Sequence, residues 1–263
     1  MKTTLKLSTL LVALASVFTF SSCMNNDNVI NNANYVSYVT IAGSPGLGYT
    51  FYADFDSKLK PTTASLETIM PELYTNNNLK RAIIAFDLIP ENQNGISLEK
   101  NKEYDIQLKH YNELYNIRYV DLPTFPTIKL TEASDTLITK NKHVRNVNQD
   151  IWAINGYLNA QLTVDYQEGK TLSVNTYYSD EDIDEANNKL TLNLYYNSNS
   201  DNHTGQGSSV FSFKLPEEIL RDNFHATDTI TLVLKAITES NGTFLNEVGS
   251  CKVAVEDFYT PMY

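Results

Sequence analysis

Apolar and polar positions alternate with a period of two along most of this chain, the spacing of strands with one buried face. Tyr35-Val36-Ser37-Tyr38-Val39-Thr40-Ile41 is dense in β-branched and aromatic residues, and Gly43-Ser44-Pro45-Gly46-Leu47-Gly48 then breaks it as a hairpin loop. Tyr49 to Asp54 predicts a second strand, Asp56-Ser57-Lys58 a tight turn, and Leu59-Lys60-Pro61 a return to extended chain. Leu79 to Ile89 is apolar on both faces, as a buried strand would be. After a loop from Pro90 to Gly95, Tyr104, Ile106 and Leu108 alternate with Asp105, Gln107 and Lys109 within a strand or hairpin spanning 103–120.

Residues 121–148 lose the alternation. Pro123 and Pro126 interrupt, polar residues dominate, and only Leu137-Ile138 offers an apolar pair for a sheet edge. A domain joint is expected here, over 123–148. The pattern then resumes in six short runs separated by polar turns. Leu162, Val164 and Tyr166 share a face, as do Leu172 and Val174. Leu190, Leu192, Leu194 and Tyr196 form the cleanest run, followed by Phe211, Phe213 and Leu215. Ile230, Leu232, Leu234 and Ala236 come next, and 248–255 ends the set. Such a series predicts a β-sandwich with antiparallel sheets. One short helix is expected at Pro216 to Arg221, with Pro in the first turn and Glu217 and Glu218 near the positive end of the helix dipole.

The first 22 residues follow a different pattern. Lys2 and Lys6 precede a 14-residue apolar stretch, Leu7 to Phe20, and Phe20-Ser21-Ser22-Cys23 follows with small residues before the thiol. This is a signal peptide, shorter than the ~20 residues a lasting membrane span needs. The motif resembles a bacterial lipobox, so Cys23 is the expected lipid attachment site. The plain alternative is an ordinary secretory signal cut near Ser21 or Ser22. The asparagine-rich stretch 23–34 then reads as a flexible tether. Outer-membrane anchoring is expected, on the periplasmic face or the cell surface. The lack of a dense acidic cluster after Cys23 favours the periplasmic face.

Net charge is −11 at pH 7, and Lys2 and Lys6 are the only charges in the leader, so the mature body is more acidic still. Phosphate backbones would repel it, which argues against a nucleic-acid partner. With Cys23 lipidated, Cys251 has no partner for a disulfide and reads as a small buried hydrophobe in a strand.

Four stretches carry a family resemblance. They are Tyr104-Asp105-Ile106-Gln107-Leu108, Ile154-Asn155-Gly156-Tyr157-Leu158-Asn159, Leu190-Thr191-Leu192-Asn193-Leu194 and Val210-Phe211-Ser212-Phe213-Lys214-Leu215. With the lipobox in front, the chain resembles the NigD-like lipoproteins of anaerobic Gram-negative bacteria. The resemblance implies an all-β protein: an OB-like β-barrel over 35–122, then an immunoglobulin-like antiparallel β-sandwich over 149–263. It implies an address and an architecture but no activity, although an immunity role was proposed for the cluster that names the family.

Candidate chemistry is sparse. His110, His143, His203 and His225 have no metal or triad spacing, and no serine lies in a Gly-x-Ser-x-Gly turn. No cofactor or metal is expected. Asp180, Asp182 and Asp184 copy the first three spacings of a calcium loop, but Glu185 stands where glycine is needed and Thr191 where a bidentate acid is needed, so a solvated acidic loop is the default. Asp135-Thr136-Leu137 and Asp228-Thr229-Ile230 match a short acceptor pattern for O-glycosylation at Thr136 and Thr229, a pattern that also arises by chance. Tyr177-Tyr178 and Tyr195-Tyr196 put a ring on each face of a strand. The outward rings are either strand filler or a surface for a glycan or protein ligand.

Together these features favour a non-catalytic binding or interaction lipoprotein for an envelope protein or glycan. A bacteriocin immunity protein is the alternative. A glycan-active hydrolase with acids scattered over loops ranks below both.

Overall fold

The computed structural model describes residues 33–74, 81–113, 127–130, 141–148 and 150–256. The expected signal peptide, Cys23 and Thr136 lie outside the described residues. The chain is all-β, with a closed barrel followed by two facing sheets.

The barrel contains β1 (Tyr35–Ser44), β2 (Gly48–Ala53), β3 (Ser57–Pro61), β4 (Arg81–Leu88) and β5 (Glu103–Glu113). Its order is β1-β2-β3-β5-β4, and β1 closes the ring by pairing with β4. All ladders are antiparallel except β3 with β5. This is OB-like closure, which leaves the barrel no free edge. Val39, Phe51, Leu59, Ile84, Phe86 and Ile106 fill the interior. The apolar run at 79–89 matches β4, seven of whose eight residues are buried.

A short helix, α1 (Thr63–Ile69), plugs one end of the barrel between β3 and β4. The alternation pattern gives no hint of it. Its signals are of another kind: Leu66, Met70 and Leu73 recur at helical spacing and are buried, and Pro71 ends the helix. Thr62 is the N-cap, and its hydroxyl accepts from Ser65 N at 3.2 Å. Thr62→Ala is expected to cost about 1 kcal/mol, read as a lower urea midpoint with unchanged slope.

The second domain begins inside the expected joint. β6 (Thr127–Lys129) runs parallel to β10 (Ser173–Tyr178) at the edge of the larger sheet, whose path is β15-β14-β12-β10-β6. Here β12 is Lys189–Asn197, β14 is Thr229–Ala236 and β15 is Asn246–Ala254, and β11 (Ile183–Asp184) pairs beside β12. The smaller sheet is β13-β9-β7, with β13 at Gly205–Lys214, β9 at Tyr157–Tyr166 and β7 at Asn146–Val147. β8 (Trp152–Ile154) joins β9 through Asn155-Gly156, both at positive φ, the hairpin turn that this pair favours. The expected short helix is present as α2 (Glu217–Asn223).

Leu158, Ala160, Leu162 and Val164 of β9 face Leu190, Leu192, Leu194 and Tyr196 of β12 across the core. The sandwich is not wholly antiparallel as expected, because β12 pairs with β14 in parallel, as β6 does with β10. Alternation reveals which face a strand buries but not its direction.

A buried polar knot joins the two domains. Arg81 of β4 has no exposed surface. Its Nη atoms donate to the Asp54 carboxylate at 2.5 and 2.8 Å. They also donate to Thr40 Oγ1 at 3.0 Å and to Asn159 Oδ1 of the sandwich at 2.9 Å. Ser212 Oγ, 3.4 Å from Arg81 Nε, donates in turn to Asn159 Oδ1. Trp152 Nε1 donates to Asp54 at 2.8 Å, and the Tyr157 ring lies 5.7 Å from the guanidinium. Tyr38 packs on Trp152, ring centres 5.7 Å apart. Burial, with the Asp54 charge adding, pushes its phenol up to about 12. With every donor of the guanidinium engaged, the charge is tolerated inside and fixes how barrel and sandwich meet.

Candidate functional site

The four tyrosines proposed as a ligand surface are not open. Tyr178 and Tyr196 point into the sandwich core, and Tyr177 and Tyr195 on the other side of the same sheet are covered as well, all at 2–6% exposure. Strand filler is the role the structure gives Tyr178, Tyr195 and Tyr196, whereas Tyr177 also lines the groove described below. Desolvation raises the pKa of Tyr177, Tyr178 and Tyr196. Thr229 is exposed at the start of β14. Cys251 is half-buried against the core, and burial pushes its thiol up to about 11, away from reactivity.

The acidic loop does not converge. Asp180 pairs with Lys129, Asp182 accepts from Ser179 N and Asn193 Nδ2, and Asp184 caps Asn187 N. Among the described residues, no cluster of three potential ligands forms a metal site. His110 Nε2 lies 3.1 Å from Asn112 Oδ1, and His225 is exposed in a turn.

The third histidine belongs to an arrangement invisible in the sequence. His203 Nε2 lies 3.1 Å from Ser198 Oγ, and its Nδ1 lies 3.6 Å from Asp165 Oδ2, the connectivity of a hydrolytic triad. The chemistry does not follow. Ser198 is fully buried, and its hydroxyl donates to Ser200 O at 2.8 Å, so no proton is directed at the imidazole. Asp165 is held instead by Arg145 at 2.7 Å, and the 3.6 Å gap to His203 is too long for an orienting hydrogen bond. The cluster ties strand ends together, and Glu239 also takes Arg145.

His143 belongs to a groove at one end of the larger sheet. β12 and β14 pair from Lys189↔Thr231 to Asn193↔Lys235 and then part. Residues 141–144 enter between them. Lys142 N donates to Tyr196 O and Val144 N to Ile237 O, at 2.8 and 2.9 Å. Asn141 copies a backbone unit, accepting from Tyr196 N and donating to Leu194 O. Above this wedge the β14–β15 hairpin folds over to leave a largely apolar groove of about 460 Å³, lined by Asn141, His143, Tyr177, Ile237, Phe244 and Leu245. Phe244 sits at the hairpin tip and is 75% exposed. At the rim Lys142 is tied to Asp201 at 2.8 Å, which lowers the carboxyl pKa.

A second groove, on the outer face of the smaller sheet, is polar and has a similar volume of about 440 Å³. The Phe244 groove contains no carboxylate and the second contains one, Asp150. Neither has the facing pair that glycoside hydrolysis needs.

The sandwich, with its parallel entry strand β6 and its wedge at 141–144, coincides with a known domain. The family model for the NigD-like C-terminal beta sandwich domain matches residues 126–246. Residues 126–246 are a NigD-like β-sandwich domain. Its start at 126 places the described part of the expected joint within the NigD-like sandwich rather than between domains.

Solved structures share the whole two-domain fold. A putative toxin related protein from Parabacteroides distasonis aligns with a TM-score of 0.58 at 15% identity, over 86% of this chain and 96% of its own. A NigD-like immunity protein from Bacteroides caccae aligns at 0.54 and 17%, over 84% and 97%. A protein of unknown function from Bacteroides vulgatus aligns at 0.52 and 15%, over 84% and 92%. These likenesses establish the fold. No curated protein matches the sequence.

Proposed function

We infer that this chain is an extracytoplasmic lipoprotein of NigD-like type, held to the outer membrane by lipid on Cys23, and that it works as a non-catalytic binding module for an envelope protein or glycan. Phe244 carries the reading. An aromatic ring held in water at a hairpin tip, beside an apolar groove, has the form of an interface anchor. The groove beside the ring is largely apolar and offers few groups to pair with sugar hydroxyls, so a protein is the favoured occupant.

The barrel supports the expectation of no nucleic-acid partner. Lys60, Lys100, Lys102 and Lys109 pair with Glu103, Asp56, Glu99 and Asp87, leaving their charge neutralised locally. Among the described residues no helix is long and apolar enough to cross a membrane.

A photoreactive side chain in place of Thr243, in the full chain in producing cells, is expected to give a discrete cross-linked band. Adding Phe244→Asp should reduce that band about tenfold or more, the loss typical of an anchor residue. Bands of equal intensity would refute the groove as the docking site.

A second reading draws on the structure from Bacteroides caccae, which is described as a NigD-like immunity protein. On that reading the partner is a bacteriocin. Deletion of the gene would then sensitise the cell to the toxin, whereas the first reading requires no such change.

A further inference from the structure

The outer face of the smaller sheet departs from the other solvent-facing strands of this protein. β3 exposes Lys58 and Lys60, and β15 exposes Glu247 and Lys252. Long charged side chains of this kind lie over a surface and keep it solvated. The outer face of β9 carries Gln161 and Thr163 instead, opposite Val210 and Ser208 of β13, between Asn159 and Ser212, buried in the Arg81 knot, and Asp165, covered by Arg145. Asn146 pairs with Thr163 from the other side. Short amides and hydroxyls leave the face open, and the result is the 440 Å³ trough, within the ~300–1,000 Å³ range of small-molecule sites.

Six polar side chains line it: Asn146, Asn148, Asp150, Gln161, Thr163 and Ser208. Two amides form a relay across the strands, from Asn148 Nδ2 to Gln161 Oε1 and from Gln161 Nε2 to Ser208 Oγ, each at 3.3 Å. These bonds are longer than the ~2.9–3.0 Å of a well-made N–H···O contact, and each amide keeps a second N–H. Asn146, Asp150 and Thr163 spend no side-chain atom on a hydrogen bond among the described residues. The trough therefore has donors and acceptors in reserve, mixed along its length. It has no lysine or arginine, and the nearby Arg145 is held by Asp165 and Glu239.

We propose that this trough binds a neutral saccharide. Each hydroxyl of a sugar donates and accepts at once, and a vicinal pair matches an amide or a carboxylate through two parallel bonds. Asp150 would accept from such a pair, and Asn148, Gln161 and Asn146 would both donate and accept. Without a cation the site does not suit uronic acids, sulfates or phosphates, and Asp150 repels them. Val147 is the apolar contact in the lining, and no aromatic platform is present, so binding is weak, of millimolar order. The proposal extends the binding-module reading to a second surface and does not depend on Phe244.

Saturation-transfer NMR on the full chain tests it, with maltotriose, cellotriose and mannotriose as neutral probes and trigalacturonate as the charged control. At least one neutral trisaccharide should receive saturation and trigalacturonate none. Ser208→Lys, at an exposed position, places a long charged chain across the trough and should cut the signal about fivefold or more, while Gln161→Ala should cut it about threefold. No transfer to any neutral probe overturns the proposal, as does equal transfer to trigalacturonate or an undiminished signal in Ser208→Lys. Phe244→Asp should leave the saccharide signal unchanged. Loss of the trough result with the Thr243 adduct intact would remove this site and leave the docking site standing.

Discussion

Arg81→Met lowers the unfolding free energy by about 3–5 kcal/mol and splits one thermal transition into two. Methionine fits the length of the arginine but supplies no donor. The Asp54 carboxylate, with its side chain only 11% exposed, would keep Trp152 and lose the guanidinium. Thr40, Asn159 and Ser212 would lose their shared partner. Unpaired charge in a dry interface costs far more than the lost bonds contribute. At ~2–4 °C per kcal/mol for a chain of this size, the shift is on the order of 10 °C. Because the knot joins the domains, barrel and sandwich should then melt separately in a calorimeter. A single unshifted transition would show that the junction is held by Tyr38, Ile83 and their apolar neighbours instead. The double variant Arg81→Met with Asp54→Leu should regain most of the stability, since neither charge is left stranded.

Cys23→Ala should abolish fatty-acid labelling and move the protein from the membrane pellet to the soluble fraction. Each buried methylene of an acyl chain contributes ~0.8 kcal/mol, and several chains together make release negligible. Among the described residues nothing offers a substitute. The net charge is acidic, and the two most exposed large apolar residues described, Leu47 at 90% and Phe244, sit in separate hairpin loops. Growth with labelled palmitate followed by fractionation makes the measurement. Label that persists in the alanine variant would place the lipid elsewhere or replace it with another anchor.

The strands were legible because burial in a sheet leaves a two-residue rhythm. Leu190, Leu192, Leu194 and Tyr196 show it, and all four are in the core. Three other features left no such trace. α1 depends on a Thr62 cap and on the spacing of Leu66, Met70 and Leu73, a helical rhythm too short to stand out. β6 and β7 span three and two residues, below any period, so the entry to the sandwich read as a joint. Strand direction is set by long-range connections, so the parallel pairing of β12 with β14 was hidden.

The sites were less legible than the strands. Outward-pointing tyrosines suggested a ligand surface because alternation reports a side, not what covers it, and Tyr177 and Tyr195 are buried on theirs. Arg81 left the one local sign, a charge at the head of an apolar run, but its partners are 27 to 131 residues away. The polar trough also draws on three strands distant in sequence, and no single one of them looks unusual alone.

The Arg81 knot also orders events as the chain emerges. A polypeptide that emerges amino end first completes its barrel while β13 is still to come, because Ser212 lies 131 residues after Arg81. Until then the guanidinium and Asp54 stay wetted on the outside of a finished barrel, an ionic hook awaiting its cover. Arrival of β9 and β13 expels that water, so the amino-terminal domain acts as the mould against which the later one sets.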